Sequence, residues 1–267
     1  MKKRVVVIAD LHSGSLVGLT PPAWQTPYKP KTESKMNKWA KIQRDMWGWY
    51  ANTIELLKPI HVLIVNGDAV DGPGKRSGGT EQLTTDMTEQ AEIASYCIKQ
   101  AQSRPTKTVM LYGTDYHVGL DGTDVENFIA DEVKAEKIGS QEWIEVNGRI
   151  LNCKHHIGSS GIPHGRFTAI AREALWAQLW HDAGRTPNSD IIIRSHTHFH
   201  VYGGGADRPL AMITPALQGA GSKYGSRRCS GLVHVGLVQF DFETDGRYSW
   251  RSHIANLESH KAQALRL

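Results

Sequence analysis

Five short clusters of carboxylates and imidazoles interrupt this chain, and all but one follow directly on an apolar, β-branched run. They are Asp10-Leu11-His12, Gly67-Asp68-Ala69-Val70-Asp71-Gly72, Gly113-Thr114-Asp115-Tyr116-His117, Lys154-His155-His156, and Ser195-His196-Thr197-His198-Phe199-His200. A strand that ends in a carboxylate or an imidazole delivers a rigidly held ligand to one edge of a sheet. Several such ends, brought together, can build a metal site.

The runs themselves indicate the fold class. Val5 to Ala9, His61 to Val65, Thr108 to Tyr112 and Ile191 to Arg194 are continuous apolar stretches of the kind that suits strands covered on both faces. Between them the spacing predicts helices over 81–101, with Leu83, Met87, Ala91, Ala94 and Ile98 on one stripe, and over 167–180, through Ile170, Ala171, Ala174 and Leu175. Leu210 to Thr214, Leu232 to Phe242 and Tyr248 to Ile254 read as antiparallel strands, the last two joined at Asp245-Gly246. An α/β start with parallel strands and a more antiparallel C-terminal half follows. A length of 267 residues with 40% hydrophobic side chains suits one large domain over 1–267.

The stretch 14–58 breaks the alternation. A Pro-rich loop, Pro21-Pro22 through Pro30, precedes a helix starting near Ser34, and the segment reads as an insertion or cap after the first strand. Its aromatics and lysines could contact planar or nucleic-acid groups. Met36, Trp39, Met46, Trp47, Tyr50 and Leu57 nevertheless fall at helical spacing and read as a core stripe, which leaves Trp24 and Tyr28 as the better contact candidates.

Lys2-Lys3-Arg4 leads into only a five-residue apolar run, too short for a signal-peptide core or a membrane span. Cys97, Cys153 and Cys229 are odd in number and widely spaced, which fits a reduced cytoplasmic setting. A net charge of +4 and a pI near 8.9 bias the chain mildly toward anionic partners.

Strand periodicity of two would put Asp10 and His12 on one side of an extended backbone, and His196 with His198 likewise, so that each pair can hold one ion. Asp68 adds a carboxylate able to bridge two ions. Mixed His and Asp donors suit Mn, Fe or Zn rather than Mg or Ca. His200 continues the alternation toward a substrate or supporting contact. Arg166, in the loop after the fourth cluster, and Arg227 or Arg228 could receive a phosphate.

The order D-x-H, G-D-x-x-D-G, a Gly-Thr cluster, a His after a strand and then H-T-H resembles the calcineurin-like metallophosphoesterase superfamily, from Asp10 to about His198. The resemblance implies a four-layer αββα sandwich and two divalent ions, manganese first, with iron, zinc or nickel as alternatives. It implies one ion held by Asp10, His12, Asp68 and His198. The second would be held by bridging Asp68, a third-cluster residue, His196 and one of His155 or His156. A metal-activated hydroxide would cleave a phosphoester, with a phosphodiester such as a nucleotide or nucleic acid favoured over a monoester. The third cluster departs from the family pattern: Thr114 stands where the family has an Asn ligand, and Asp115 where it has a catalytic His. Either Asp115 takes over metal binding with His117 reaching the phosphate, or the second site is weakened. The extreme of the latter is a scaffold that binds nucleic acid or a protein partner.

Overall fold

The computed structural model describes residues 1–29, 35–75, 77–117, 124–158, 160–206, 208–222, 231–261 and 264. Two sheets form its centre. The first runs β11-β10-β1-β2-β3-β4, built from β1 (Lys3–Ile8), β2 (Val62–Asn66), β3 (Lys107–Leu111), β4 (Lys137–Gly139), β10 (Gly236–Phe242) and β11 (Tyr248–Ile254). β1 to β4 are parallel, while β10 and β11 extend the sheet antiparallel. The second runs β5-β6-β7-β9-β8, from β5 (Glu142–Val146), β6 (Arg149–Cys153), β7 (Ile191–Arg194), β8 (Val201–Gly203) and β9 (Leu210–Ile213).

The alternation of buried side chains along these strands dictates the layering. Val5, Val7, Ile64, Phe240 and Phe242 point from the first sheet onto Leu151, Ile191, Ile193 and Met212 of the second. Val6, Ile8, Leu63 and Val65 point the other way, onto α1 (Lys35–Leu57), α2 (Met87–Ala101) and α3 (Val125–Glu132). The outer face of the second sheet, Ile192, Ala211 and Ile213, is covered by α4 (Gly165–Asp182). The result is the four-layer αββα sandwich, with successive β-strand side chains serving two different cores.

Several sequence expectations shift. α2 begins at Met87 rather than 81, because Asp86 caps it by accepting the Thr88 and Glu89 N–H groups, and Leu83 packs on the core from the preceding loop. β9 runs parallel to β7 and antiparallel only to β8. In α4 the buried face carries Ala169 and Ile170 with Ala174 and Ala177, whereas Ala171 and Leu175 are exposed. α1 is the crossover between parallel β1 and β2; Met46, Tyr50 and Leu57 are buried, Trp39 and Trp47 partly so, and Met36 is exposed. Trp24 packs edge-on against Tyr96, and Arg44 lies over the Tyr28 ring. No helix among the described residues is long and apolar enough to cross a membrane. Cys97 and Cys153 are buried free thiols; Cys229, Arg227 and Arg228 lie outside the described residues.

Candidate metal centre

The C-terminal ends of β1, β2, β3, β6 and β7 meet on one edge of the sandwich, and each delivers one polar cluster there. The ligands do not ride on extended backbone. β1 stops at Ile8 and β7 at Arg194. Asp10, His12, Asp68, His196 and His198 all adopt positive φ, between 44° and 72°. Only Lys134 and Asn147 share that conformation among the other described non-glycine residues. The strands give way because the loops hydrogen-bond one another: the Asp10 N–H donates to Gly67 O, and the His12 N–H to Asp68 O. Left-handed backbone on side chains other than glycine is strained, and such strain gathers at functional sites.

Asp68 is the hub. Its Oδ2 lies 3.0 Å from His155 Nε2, 3.6 Å from His117 Nε2, 3.8 Å from His12 Nε2 and 4.0 Å from His196 Nδ1. A second convergence joins His198 Nε2 to Asp10 Oδ1 at 3.2 Å and to His12 Nε2 at 3.2 Å. Three groups could therefore each hold an ion: Asp10 with His12 and His198, Asp68 with His155 and His196, and His12 with Asp68 and His117. Burial alone would raise the Asp68 pKa, but the surrounding imidazoles, His155 first, outweigh it and hold the carboxyl well below the usual carboxylate range.

The donor set fits a cation on two further counts. Asp10 Oδ1, His155 Nε2 and His196 Nδ1 are buried without hydrogen-bond partners, and an unpaired buried polar atom is costly unless something else satisfies it. Atoms bound at about 2.1 Å to one ion lie roughly 3 Å apart at right angles, and about 3.4 Å apart at the tetrahedral angle. The closest of the contacts above fall in that range.

Surrounding groups set which imidazole nitrogen faces the centre. His155 Nδ1–H donates to Asn66 O at 2.7 Å, and His12 Nδ1–H to Asp71 Oδ1 at 2.9 Å. His117 Nδ1–H donates to Asp71 O at 2.6 Å. In each case the lone pair of Nε2 is turned inward. Asn66 Nδ2 also reaches Ser195 Oγ at 2.6 Å, and Ser195 Oγ lies 2.7 Å from Thr214 Oγ1, tying the two sheets together beneath the ligands. Gly67 is required here: its φ is +84°, and a Cβ would sit 2.5 Å from the His155 ring.

The remaining predicted residues are placed as follows. The Thr114 N–H donates to Asp68 Oδ1 at 2.7 Å, and its hydroxyl donates to the same carboxylate at 2.8 Å and 2.9 Å. Asp115 is exposed on a 3-10 turn and joins none of the three groups, although it lines the adjoining cavity of about 310 Å³ together with Tyr112, Lys154 and His156. The His156 ring packs beside that of His196, at 4.7 Å between centroids, and is exposed. Arg166 lies over the Phe199 ring at 3.8 Å, and His200 Nδ1 bonds to Ile213 O; neither joins the groups around Asp68.

Sequence reasoning missed the residues that hold the loops. Glu126 of α3 is buried, with Oε1 accepting from the Ala69 N–H at 3.0 Å and Oε2 from the Gly113 N–H at 2.6 Å, so one carboxylate clamps the second and third clusters together. Burial pushes its carboxyl up to about 7, against the pull of those two N–H groups. Gln90 Oε1 accepts from the Asp71 and Gly72 N–H groups while its amide donates to Gly72 O. Neither carries a sequence signal beyond its place in a helix. The repeat of Asp in Gly67-Asp68-Ala69-Val70-Asp71 was the one available sign of Asp71.

The order of these clusters along the four-layer αββα sandwich resembles that of the calcineurin-like metallophosphoesterase superfamily. No protein-family model matches the sequence, and no curated protein matches it. Solved structures with a similar chain path include a metallophosphoesterase from Sphaerobacter thermophilus, at 11% identity over 96% of this chain and 89% of that one with a TM-score of 0.40. The YfcE phosphoesterase of E. coli is 10% identical over 93% and 98%, at a TM-score of 0.42. Vps29 from Chaetomium thermophilum is 9% identical over 96% and 99%, at 0.44. Likeness this distant has no bearing on activity, so the functional reading of the centre rests on its own side chains.

Proposed function

We propose that the chain is a metal-dependent phosphohydrolase that cleaves a phosphoester, with a phosphodiester as the favoured substrate. The observation that carries the reading is the convergence of two carboxylates and five imidazoles on one sheet edge, with three buried donor atoms left unpaired beside an open cavity. Asp10, His12 and His198 would hold one ion, and His155 and His196 a second, with Asp68 between them. When bound, such a pair supplies an activated water and a clamp on the oxygens of an in-line displacement at phosphorus.

The chain's own groups do the rest. Asp71 and Asn66 keep His12 and His155 in the tautomers that face the centre. His117 has its Nδ1 committed to Asp71 O, so only Nε2 can pass a proton to a leaving oxygen. Burial holds the His117 pKa below the ordinary imidazole value, which makes its protonated form a stronger acid. Lys154 lines the cavity and offers a cation to an incoming phosphoryl group. The basic sequence balance supports the preference for a diester.

Thr114 favours a second reading, a scaffold with a weakened site, because its N–H and hydroxyl already occupy the carboxylate that should bridge. One experiment separates the two. Metal-stripped protein is resupplied with Mn, Ni, Zn or Mg and assayed on bis-p-nitrophenyl phosphate and p-nitrophenyl phosphate, with Asp68→Asn alongside. The phosphohydrolase requires metal-dependent turnover, faster on the diester, that falls by orders of magnitude in the variant. Metal binding without turnover on either substrate would assign the scaffold.

A further inference from the structure

The outer face of the second sheet is not apolar throughout. Strand alternation sends Trp143 of β5, Asn152 of β6 and Arg194 of β7 away from the core between the sheets, onto the face that also carries Ile192. α4 covers Ile192, Ala211 and Ile213 but leaves a cavity of about 390 Å³ beside the other three. The facing wall is one stripe of the helix, where Glu173, Trp176 and Trp180 recur at helical spacing and set two indoles one turn apart. Three tryptophans thus line one space, and Trp176 and Trp180, both 54% exposed, leave it open to solvent.

The polar floor is largely spent on itself. The buried Arg194 donates from Nε to Glu173 Oε2 at 2.9 Å and from Nη1 to Asn152 O at 3.0 Å, while Asn152 Oδ1 accepts from Gln141 Nε2 at 2.9 Å. Trp143 Nε1 is different: it is buried with no hydrogen-bond partner among the described residues. A buried donor of that kind is costly unless a ligand accepts from it.

Lys154 joins this cavity to the candidate metal centre, since it lines both this space and the one beside Asp68. Asn152 on the floor and His155 at the centre are three residues apart in the chain, a separation of at most about 10 Å. A group seated on the indoles is therefore within one sugar of a phosphate at the centre.

Given the phosphohydrolase reading above, on which this rests, we propose that the cavity is the subsite for the base of a nucleotide phosphoester. The base stacks against the indoles, the Trp143 Nε1–H donates to a ring nitrogen or carbonyl of the base, and Lys154 meets the phosphate. Stacking of this kind accepts any base, because every base has a π-face. A quaternary ammonium also seats among aromatic rings. Here it would face two cations, Lys154 and Arg194, and Glu173, the one acid among the described lining residues, is already paired with Arg194.

Calorimetric titration of the full chain without added metal, so that nothing is turned over, tests the proposal with adenosine 5′-monophosphate, thymidine 5′-monophosphate and ribose 5-phosphate. Both nucleotides should bind at least about 10-fold more tightly than the sugar phosphate. Trp180→Ala should weaken the nucleotides about 10–100-fold, the worth of one stacked base, without changing the affinity for ribose 5-phosphate, and Trp180→Phe should recover most of the loss. Trp143→Phe, which keeps a ring and removes the Nε1 donor, should also weaken the nucleotides, and it decides the matter if the alanine variant fails to fold. Nucleotides that do not bind, that bind no better than ribose 5-phosphate, or that ignore the tryptophan substitutions overturn the proposal. Turnover of bis-p-nitrophenyl phosphate by the manganese-loaded wild type keeps the two readings apart. Turnover without nucleotide binding overturns the subsite alone, whereas tryptophan-dependent nucleotide binding without turnover keeps the subsite and removes the hydrolase.

Discussion

At the scale of single residues, Glu126 separates building the centre from holding it in shape. It touches no candidate ligand side chain, yet it fixes the loop of Asp68 to the loop of Thr114 through two backbone N–H groups. Glu126→Gln keeps the volume but turns an amide NH2 toward one of those donors, so one of the two bonds is lost. The expected outcome is a fall of about 10–100-fold in metal affinity, as for other groups that support ligands, measured by titrating metal-stripped protein. The pH dependence of stability should change as well. In the unfolded chain the carboxyl titrates near 4.5, and in the folded chain at about 7. Between those values the folded state keeps a proton that the unfolded state has released, so this group's contribution to stability falls as pH rises through the window and levels off above it. Thermal melts of wild type and variant from pH 4 to 8 should diverge over that range, with the flatter profile in the variant. The gathering of carboxylates and imidazoles at one sheet edge was legible in the sequence because strand ends announce it. The supports were not, since Glu126 and Gln90 act on backbone groups far away in the chain.

Among the elements, the long strands and helices were readable because their apolar periods are long, and the misses were local. The β5-β6 hairpin turns at Asn147-Gly148, both with positive φ, and this dipeptide was the sequence sign of it. α3 spans only Val125–Glu132, too short for its period to stand out. In α4, Ile170 and Ala174 of the expected stripe face the sheet while Ala171 and Leu175 do not, because apolar residues on several sides of the helix leave its pattern little to orient it. α1 and α2 are joined by a specific contact, the buried Tyr50 hydroxyl donating to Cys97 O at 2.8 Å. Tyr50→Phe leaves that carbonyl without its side-chain donor and should cost about 1 kcal/mol, read as a lower urea midpoint with an unchanged slope.

For the whole molecule, the interior between the two sheets sets stability, and the edge that gathers the carboxylates and imidazoles depends on how those sheets are held together. Phe240 is fully buried there, stacked with Phe242 at 6.0 Å between ring centroids. Phe240→Ala should destabilise the fold by about 3–5 kcal/mol, measured by denaturant unfolding. The layering was legible only through the family resemblance. Composition and periodicity show that strands alternate with helices, but not that β5 to β9 leave the first sheet to form a second, because each buried run looks the same whichever sheet it joins.

Five side chains at the centre sit in left-handed backbone, a conformation that costs on the order of 1 kcal/mol or more for each residue bearing a Cβ. A directed-evolution campaign that rewards heat resistance alone would therefore find a cheap gain at His196, whose buried Nδ1 has no hydrogen-bond partner and where glycine relaxes the chain. Thermostable descendants selected without an activity screen would shed that candidate ligand first.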